Sequence, residues 1–268
     1  MLRTAIVSIA LCCALLSPAR ASADSVFLED LTWTELRDAQ RAGKTTIIIP
    51  VGGTEQNGPH MALGKHNVRA RALAARIATA LGDAVVAPVL AYVPEGTIHP
   101  PSGHMRFPGT ISIPDDAFQS VLESAAKSFR QNGFTDVVLI GDSGNYQNQL
   151  KAVAVRLNRA WAATPARAHF IEAYYRATQS AFAQALRAKG LTAAQIGTHA
   201  GAADTALLMA LDPASVRTDR FDAAHTAGAT VGITGDPRAA SAALGQLGVD
   251  LIVSDTVEAI RRSRKSSR

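Results

Sequence analysis

Cysteine is nearly absent: Cys12 and Cys13 are the only two in 268 residues. Both lie in an opening segment with Arg3 ahead of an apolar stretch from Ala5 to Leu16 and a small-residue cleavage pattern at Ala19-Arg20-Ala21. That is the layout of a Sec signal peptide over residues 1–21, with cleavage after Ala23 equally compatible. Leu11 before Cys12 makes a poor lipoprotein junction. The mature chain is therefore expected to be exported, periplasmic or secreted, yet to contain no cysteine and no disulfide. Packing, alone or together with a metal, must hold it together. A second apolar run long enough to span a bilayer is also missing, so no membrane anchor is expected.

A strong charge of one sign is missing too, although the formal net charge is +5. Without Arg3 and Arg20, 25 basic residues face 22 acidic ones, and five of the 25 crowd into residues 261–268. The body is thus mildly acidic and offers no basic stripe to nucleic acid. Residues 261–268 read as a basic, disordered tail.

What is present is an alternation of strand and helix patterns. An opening helix is expected over residues 29–42, capped by Thr32 or Thr34 and stopped by Gly43. Buried strands follow at residues 45–49, 83–90, 136–140 and 168–173, with helices at 68–81, 114–132, 146–162, up to 189, up to 210 and at the end. Strands alternating with helices predict one α/β domain over residues 22–260, a three-layer α/β/α sandwich with a mainly parallel central sheet.

Three loops at strand or helix boundaries gather the polar chemistry. The first, after the strand at 45–49, carries Glu55, Asn57, His60 and His66 among glycines 52, 53, 58 and 64. The second holds Asp142, Ser143, Gly144 and Asn145, and the third runs from His199 to Asp204. Parallel strands bring their carboxyl ends to one edge, where open α/β sheets bind ligands, so these loops can converge. Glutamate, histidine and aspartate together suit a mixed nitrogen and oxygen site for one divalent metal, zinc or manganese. A long loop over residues 91–106 carries His99, Ser102 and His104, and a loop of that length is usually functional. Ser102 and His104 are candidates to face substrate.

The chain resembles the creatininase (creatinine amidohydrolase) family. The resemblance rests on Pro50 to His66, Phe107-Pro108-Gly109-Thr110, Ile140 to Asn145, His199-Ala200-Gly201 through Thr205, and Gly235-Asp236-Pro237. The family's motifs hold two metals, and this chain departs from them. Carried over by position, the family's Glu is Glu55, but its His is Asn57, its bridging Asp is His66, its later His is Asp142 and a nearby Glu is Gly144. The resemblance then implies a mononuclear site of Glu55, His66 and Asp142, because an imidazole cannot bridge two metals as a carboxylate does. It also implies His199 as the proton donor to the leaving nitrogen, with Asp204 orienting it. Backbone N–H groups of residues 143–145 would hold an oxyanion, and His60 would pack behind the site. The implied reaction is hydrolysis of an amide or cyclic amide C–N bond in a small molecule. The family's substrate contacts correspond to Gln195 and Ile196, so creatinine itself is not the expected substrate. A homo-oligomer, as large as a hexamer, is implied as well.

Two other readings compete. A creatininase fold without its metal would be a ligand-binding or interaction protein. A serine esterase of the SGNH type would use Ser143 as nucleophile and His225 of Asp222-Ala223-Ala224-His225 as base.

Overall fold

The computed structural model describes residues 25–266. The expected signal peptide lies outside the described residues. After a short turn at Leu28–Asp30, α1 (Trp33–Arg41) opens on Thr32, whose hydroxyl accepts from Glu35 N–H while the Glu35 carboxylate takes the Thr32 N–H. This capping box starts the helix three to four residues later than the apolar pattern suggests. Then come β1 (Thr46–Val51), α2 (Lys65–Leu81), β2 (Ala84–Val86), α3 (Asp115–Gln131), β3 (Asp136–Gly141), α4 (Gln147–Ala160) and β4 (Arg167–Phe170). The carboxyl-terminal part is helical: α5 (Glu172–Arg176), a π-turn (Ala177–Ala181), α6 (Phe182–Ala188), α7 (Ala193–Ile196), α8 (Ala202–Leu211), α9 (Phe221–Ala227) and α10 (Ala242–Ser266).

The strands form one parallel sheet in the order β2-β1-β3-β4. Every residue of β1 and β3 is buried, as expected for strands covered on both faces. Ile48, Val86, Val138 and Ile140 pack with α2, α5, α6, α8 and α10 on one side. Ile47, Ile49, Val85, Val137 and Leu139 pack with α3 and α4 on the other. That alternation produces the three-layer α/β/α sandwich. Pro50 is tolerated in central β1 because β2 has already ended opposite Ile48. On that side its carbonyl accepts from Leu90 N–H, where a strand N–H would otherwise need a partner.

Two expectations need correction. The strand predicted over residues 83–90 stops at Val86, since Pro88 cannot supply a ladder N–H. The predicted disordered tail is helical through Ser266, and residues 267 and 268 lie outside the described residues. Arg264 Nη2 reaches Asp83 Oδ2 at 2.5 Å, Arg261 donates to the Ala80 carbonyl, and Ser263 Oγ lies 2.8 Å from His169 Nδ1. These contacts hold the last turns of α10 against the amino end of the sheet. No helix among the described residues is long and apolar enough to cross a membrane.

Candidate active site

The carboxyl edge of the sheet is where the loops meet. Residues 52–64 leave β1, residues 142–145 leave β3, and Tyr174 and Tyr175 follow β4 on α5. Loop 197–201 reaches them from the helical side. It is held by an antiparallel bridge between His199 and Thr234. Gly197 has φ +70°, and a Cβ there would lie 2.0 Å from the Thr234 carbonyl oxygen, so the close approach requires glycine. Ala200, beside His199, has φ +55°, a conformation that costs a non-glycine residue on the order of 1 kcal/mol. The Asp204 carboxylate accepts from Ala200 N–H at 2.9 Å and stabilises that turn.

The loops enclose a cavity of about 170 Å³, lined among others by Glu55, His104, Asn145, Tyr175, His199 and Asp204. Beneath it lies a buried charge cluster. His66 is placed between two carboxylates, with Nδ1 at 2.6 Å from Asp142 Oδ2 and Nε2 at 2.8 Å from Glu55 Oε1. Both ring nitrogens must carry protons to donate both bonds, so the ring is an imidazolium. Burial and the Lys65 ammonium oppose that charge, but Glu55 and Asp142 outweigh them and raise the His66 pKa. Arg69 pairs with Asp142 (Nε to Oδ2, 3.2 Å) and Asp204 (Nη1 to Oδ1, 2.6 Å). Lys65 Nζ stands 3.6 Å from Glu55 Oε1 and 3.4 Å from Asp204 Oδ2. Tyr174 donates to Asp142 Oδ1 at 2.8 Å. Burial works to raise the Glu55 and Asp204 carboxyls, yet the cations around them hold both well below the ordinary range.

A second group of donors faces the cavity. Glu55, His104 and His199 each offer a ligand atom, and those atoms lie within 4.8 Å of one another. His199 Nε2 lies 3.0 Å from the Gln56 carbonyl, to which it donates, leaving Nδ1 toward Glu55 Oε1 at 3.8 Å. A ring N–H fixed by a carbonyl is the usual arrangement behind a metal-ligating imidazole. His104 Nε2 is 3.5 Å from Glu55 Oε2, and the two imidazoles face each other with centroids 4.3 Å apart. The Gln56 amide contacts both rings. Burial first, then the Lys65 charge, lowers the His199 pKa to about 4, so the ring is neutral at neutral pH.

A profile of the creatininase family (creatinine amidohydrolase) matches residues 29–260. The chain belongs to the creatininase family. It is 28% identical over 244 residues to the mycofactocin precursor peptide peptidase of Mycolicibacterium smegmatis, covering 81% of this chain and 84% of that protein. It is also 28% identical over 201 residues to the creatinine amidohydrolase of Pseudomonas putida, covering 73% and 75%. A solved creatininase described as the Mn form superposes with TM-score 0.71 at 26% identity, covering 89% of this chain and 98% of that one. A mutant creatininase of Zn–Zn type superposes with TM-score 0.70 at 25% identity, with the same coverage. Creatininase structures thus occur in manganese and in zinc forms.

The residues singled out in the sequence fall into distinct places. Glu55, His66 and Asp142 do come together, but as a hydrogen-bonded row rather than three donors around one point. The donors that do surround one point are Glu55, His104 and His199. His104 was expected only to face substrate, and no motif spacing links it to the other two. Asp204 is tied to Arg69, Lys65 and Ala200 N–H, which suits orienting rather than reacting. Asn57 is fully buried and bridges the Glu55 and Ala62 carbonyls, so it is part of the loop scaffold. His60 packs behind the site against Thr205 and Phe221, and its pKa falls to about 4, chiefly through burial. Ser102 lies in a neighbouring cleft with Glu95, where its hydroxyl accepts from Thr97 N–H.

Two of the three N–H groups expected to hold an oxyanion are already engaged. Ser143 N–H is taken by Tyr146 Oη and Asn145 N–H by Ser143 Oγ, so neither is spare for a ligand. The esterase pairing fails as well. Ser143 lines the cavity, whereas His225 lies on α9 and faces Asp236, 3.3 Å away. Sequence reading missed Lys65, Arg69, Tyr175 and Glu95. Burial, then the Glu55 charge, raises the Glu95 carboxyl to about 8, and Asn145 Nδ2 donates to it at 2.6 Å. The first two carried a signal: basic residues at the start of a helix oppose its dipole.

Proposed function

We propose that this chain is a hydrolase that cleaves an amide or cyclic amide C–N bond of a small molecule, using one divalent metal ion, zinc or manganese, held by Glu55, His104 and His199. The observation that carries this reading is the convergence of those three donors at the mouth of the cavity. One carboxylate and two imidazoles suit either metal. The ligand set differs from Glu55, His66 and Asp142 because His66 has no free lone pair. When bound, such an ion lowers the pKa of a water ligand and polarises a carbonyl.

The chain's own residues supply the rest. Gln56 fixes the orientation of both imidazoles through its amide and its carbonyl. Asp204 holds the turn that aims His199, acting as a positioning residue. Tyr175, Thr198 and Asn145 form the wall against which a substrate would rest. The named relatives act on a cyclic amide and on a precursor peptide, both of which present a C–N bond, and that supports the reaction class. The export expected from residues 1–21 and a homo-oligomeric assembly belong to the same proposal.

Metal content by mass spectrometry, on protein without residues 1–21, tests it beside Glu55→Gln and His104→Ala. About one ion per chain, lost in both folded variants, is expected, together with turnover in a panel of small amides and lactams. No ion after reconstitution with zinc or manganese would overturn the hydrolase mechanism. The balanced charges beneath the cavity would then favour a metal-free binding protein.

A further inference from the structure

The first turn of α2 is unusual. Lys65 and His66 lie in it and Arg69 just beyond, all three are buried, and no acidic residue shares the turn. A helix amino terminus favours negative charge, so three buried cations at that position need compensation from elsewhere. It comes from three carboxylates on three different segments: Glu55 after β1, Asp142 after β3 and Asp204 in α8. Lys65, His66 and Arg69 each lie against one or two of these carboxylates, so the space between the three segments is already filled by side chains of this chain.

We infer that the Lys65, His66 and Arg69 side chains occupy the inner part of the site, so that it excludes a metal and the chain holds at most one ion, at the cavity mouth. The donor atoms show why. Asp142 Oδ1 accepts from Tyr174, and its Oδ2 accepts from His66 with Arg69 Nε 3.2 Å away. Asp204 Oδ1 is taken by Arg69, and its Oδ2 by Lys65 and Ala200 N–H. Both His66 nitrogens are engaged. A divalent ion here would find both His66 nitrogens engaged, would have to displace donors already held by the Asp142 and Asp204 oxygens, and would stand beside an ammonium and a guanidinium.

Steric evidence agrees. At Gly144, where the resemblance places a carboxylate ligand, an added Cβ would lie 2.6 Å from Tyr175 Oη. A longer side chain there would have to displace that ring. Asn57, at the other altered position, turns its amide nitrogen into the loop backbone. The inner positions are therefore closed by charge on one side and by packing at Gly144 on another.

The inference rests on the proposed hydrolase reading only for the one ion at the mouth, and the two can fail separately. The test is metal stoichiometry by native mass spectrometry on protein titrated with zinc or manganese, for the unaltered sequence and for Lys65→Thr combined with His66→Asp. One ion in the former and two in the latter is the expected result. Two ions in the unaltered protein would overturn the inference and leave the hydrolase reading intact. No ion in the unaltered protein and one in the double variant would uphold the inference while removing the ion at the mouth. Should the double variant fail to fold, imidazole nitrogen NMR on the unaltered protein decides. Metal loading should shift His104 and His199 and leave His66 unmoved, whereas a His66 shift equal to theirs would overturn the inference.

Discussion

The two ends of the sheet carry nearly the same set of paired charged side chains, buried at the carboxyl end and partly exposed at the amino end. At the amino end, His169 Nε2 lies 2.9 Å from Asp136 Oδ1, while Arg264 pairs with Asp83 and Asp136. At the carboxyl end, His66 pairs with Asp142, while Arg69 pairs with Asp142 and Asp204. Each is an aspartate, histidine and arginine knot in which one carboxylate serves both the imidazole and the guanidinium. The amino-end knot joins strands to the last turns of α10 and is a tether. The carboxyl-end knot adds Glu55 and Lys65 and has a cavity above it, with His104 and His199 on its rim. Residue type and ion pairing alone do not make a site. Loops converging at the strand ends do, because only there does backbone leave the sheet in several directions around an open space.

The comparison can be broken first at Arg69. Replacing it with methionine leaves buried Asp142 and half-buried Asp204 with one cation fewer, and a loss of about 3 kcal/mol is expected. Urea midpoints measure it; a loss under about 1 kcal/mol would show that the inner cluster is not mutually compensated.

A second test uses pH. His60 and His199 have pKa values lowered to about 4. Between pH 6.5 and 4 the unfolded chain takes up protons that the folded one refuses, so stability falls as pH drops through that window. His66 has the opposite sign: its raised pKa contributes stability that is full below 6.5 and is lost as pH rises through the raised value. His60→Gln should make the acid slope shallower by about one proton, read from unfolding free energies at stepped pH. An unchanged slope would mean that His60 is not held neutral.

The smallest effect is expected at the amino end. Arg264 is partly exposed, and Arg264→Ala should cost about 1 kcal/mol while leaving metal content at the other end unchanged. Altered metal binding in that variant would join two clusters described here as separate.

Much of the site's neighbourhood was legible in the chain. The apolar run at Ile47-Ile48-Ile49 marks a strand buried on both faces, and Asp136 to Ile140 marks its neighbour. The polar loops after them had to share an edge once the sheet was parallel. Glu55, Asp142, Asp204 and His199 all meet there. Pro88 also announced the end of β2, although the apolar residues around it suggested a longer strand.

The sequence by itself determined the fold class and the edge at which the loops gather, because strand burial and loop chemistry are properties of short segments. Which side chains share a point was decided only by tertiary structure. His66 and His104 are equally good ligands as residue types. The folded chain gives both nitrogens of His66 to Glu55 and Asp142, and brings His104 from a loop some fifty residues beyond Glu55 to face it and His199. The helical tail follows the same rule. Residues 261–266 look solvated by composition, yet Asp83 and the Ala80 carbonyl supply partners that lie far away in sequence. Charge in a buried place is settled by its partners, and those are fixed only when the chain has closed around them.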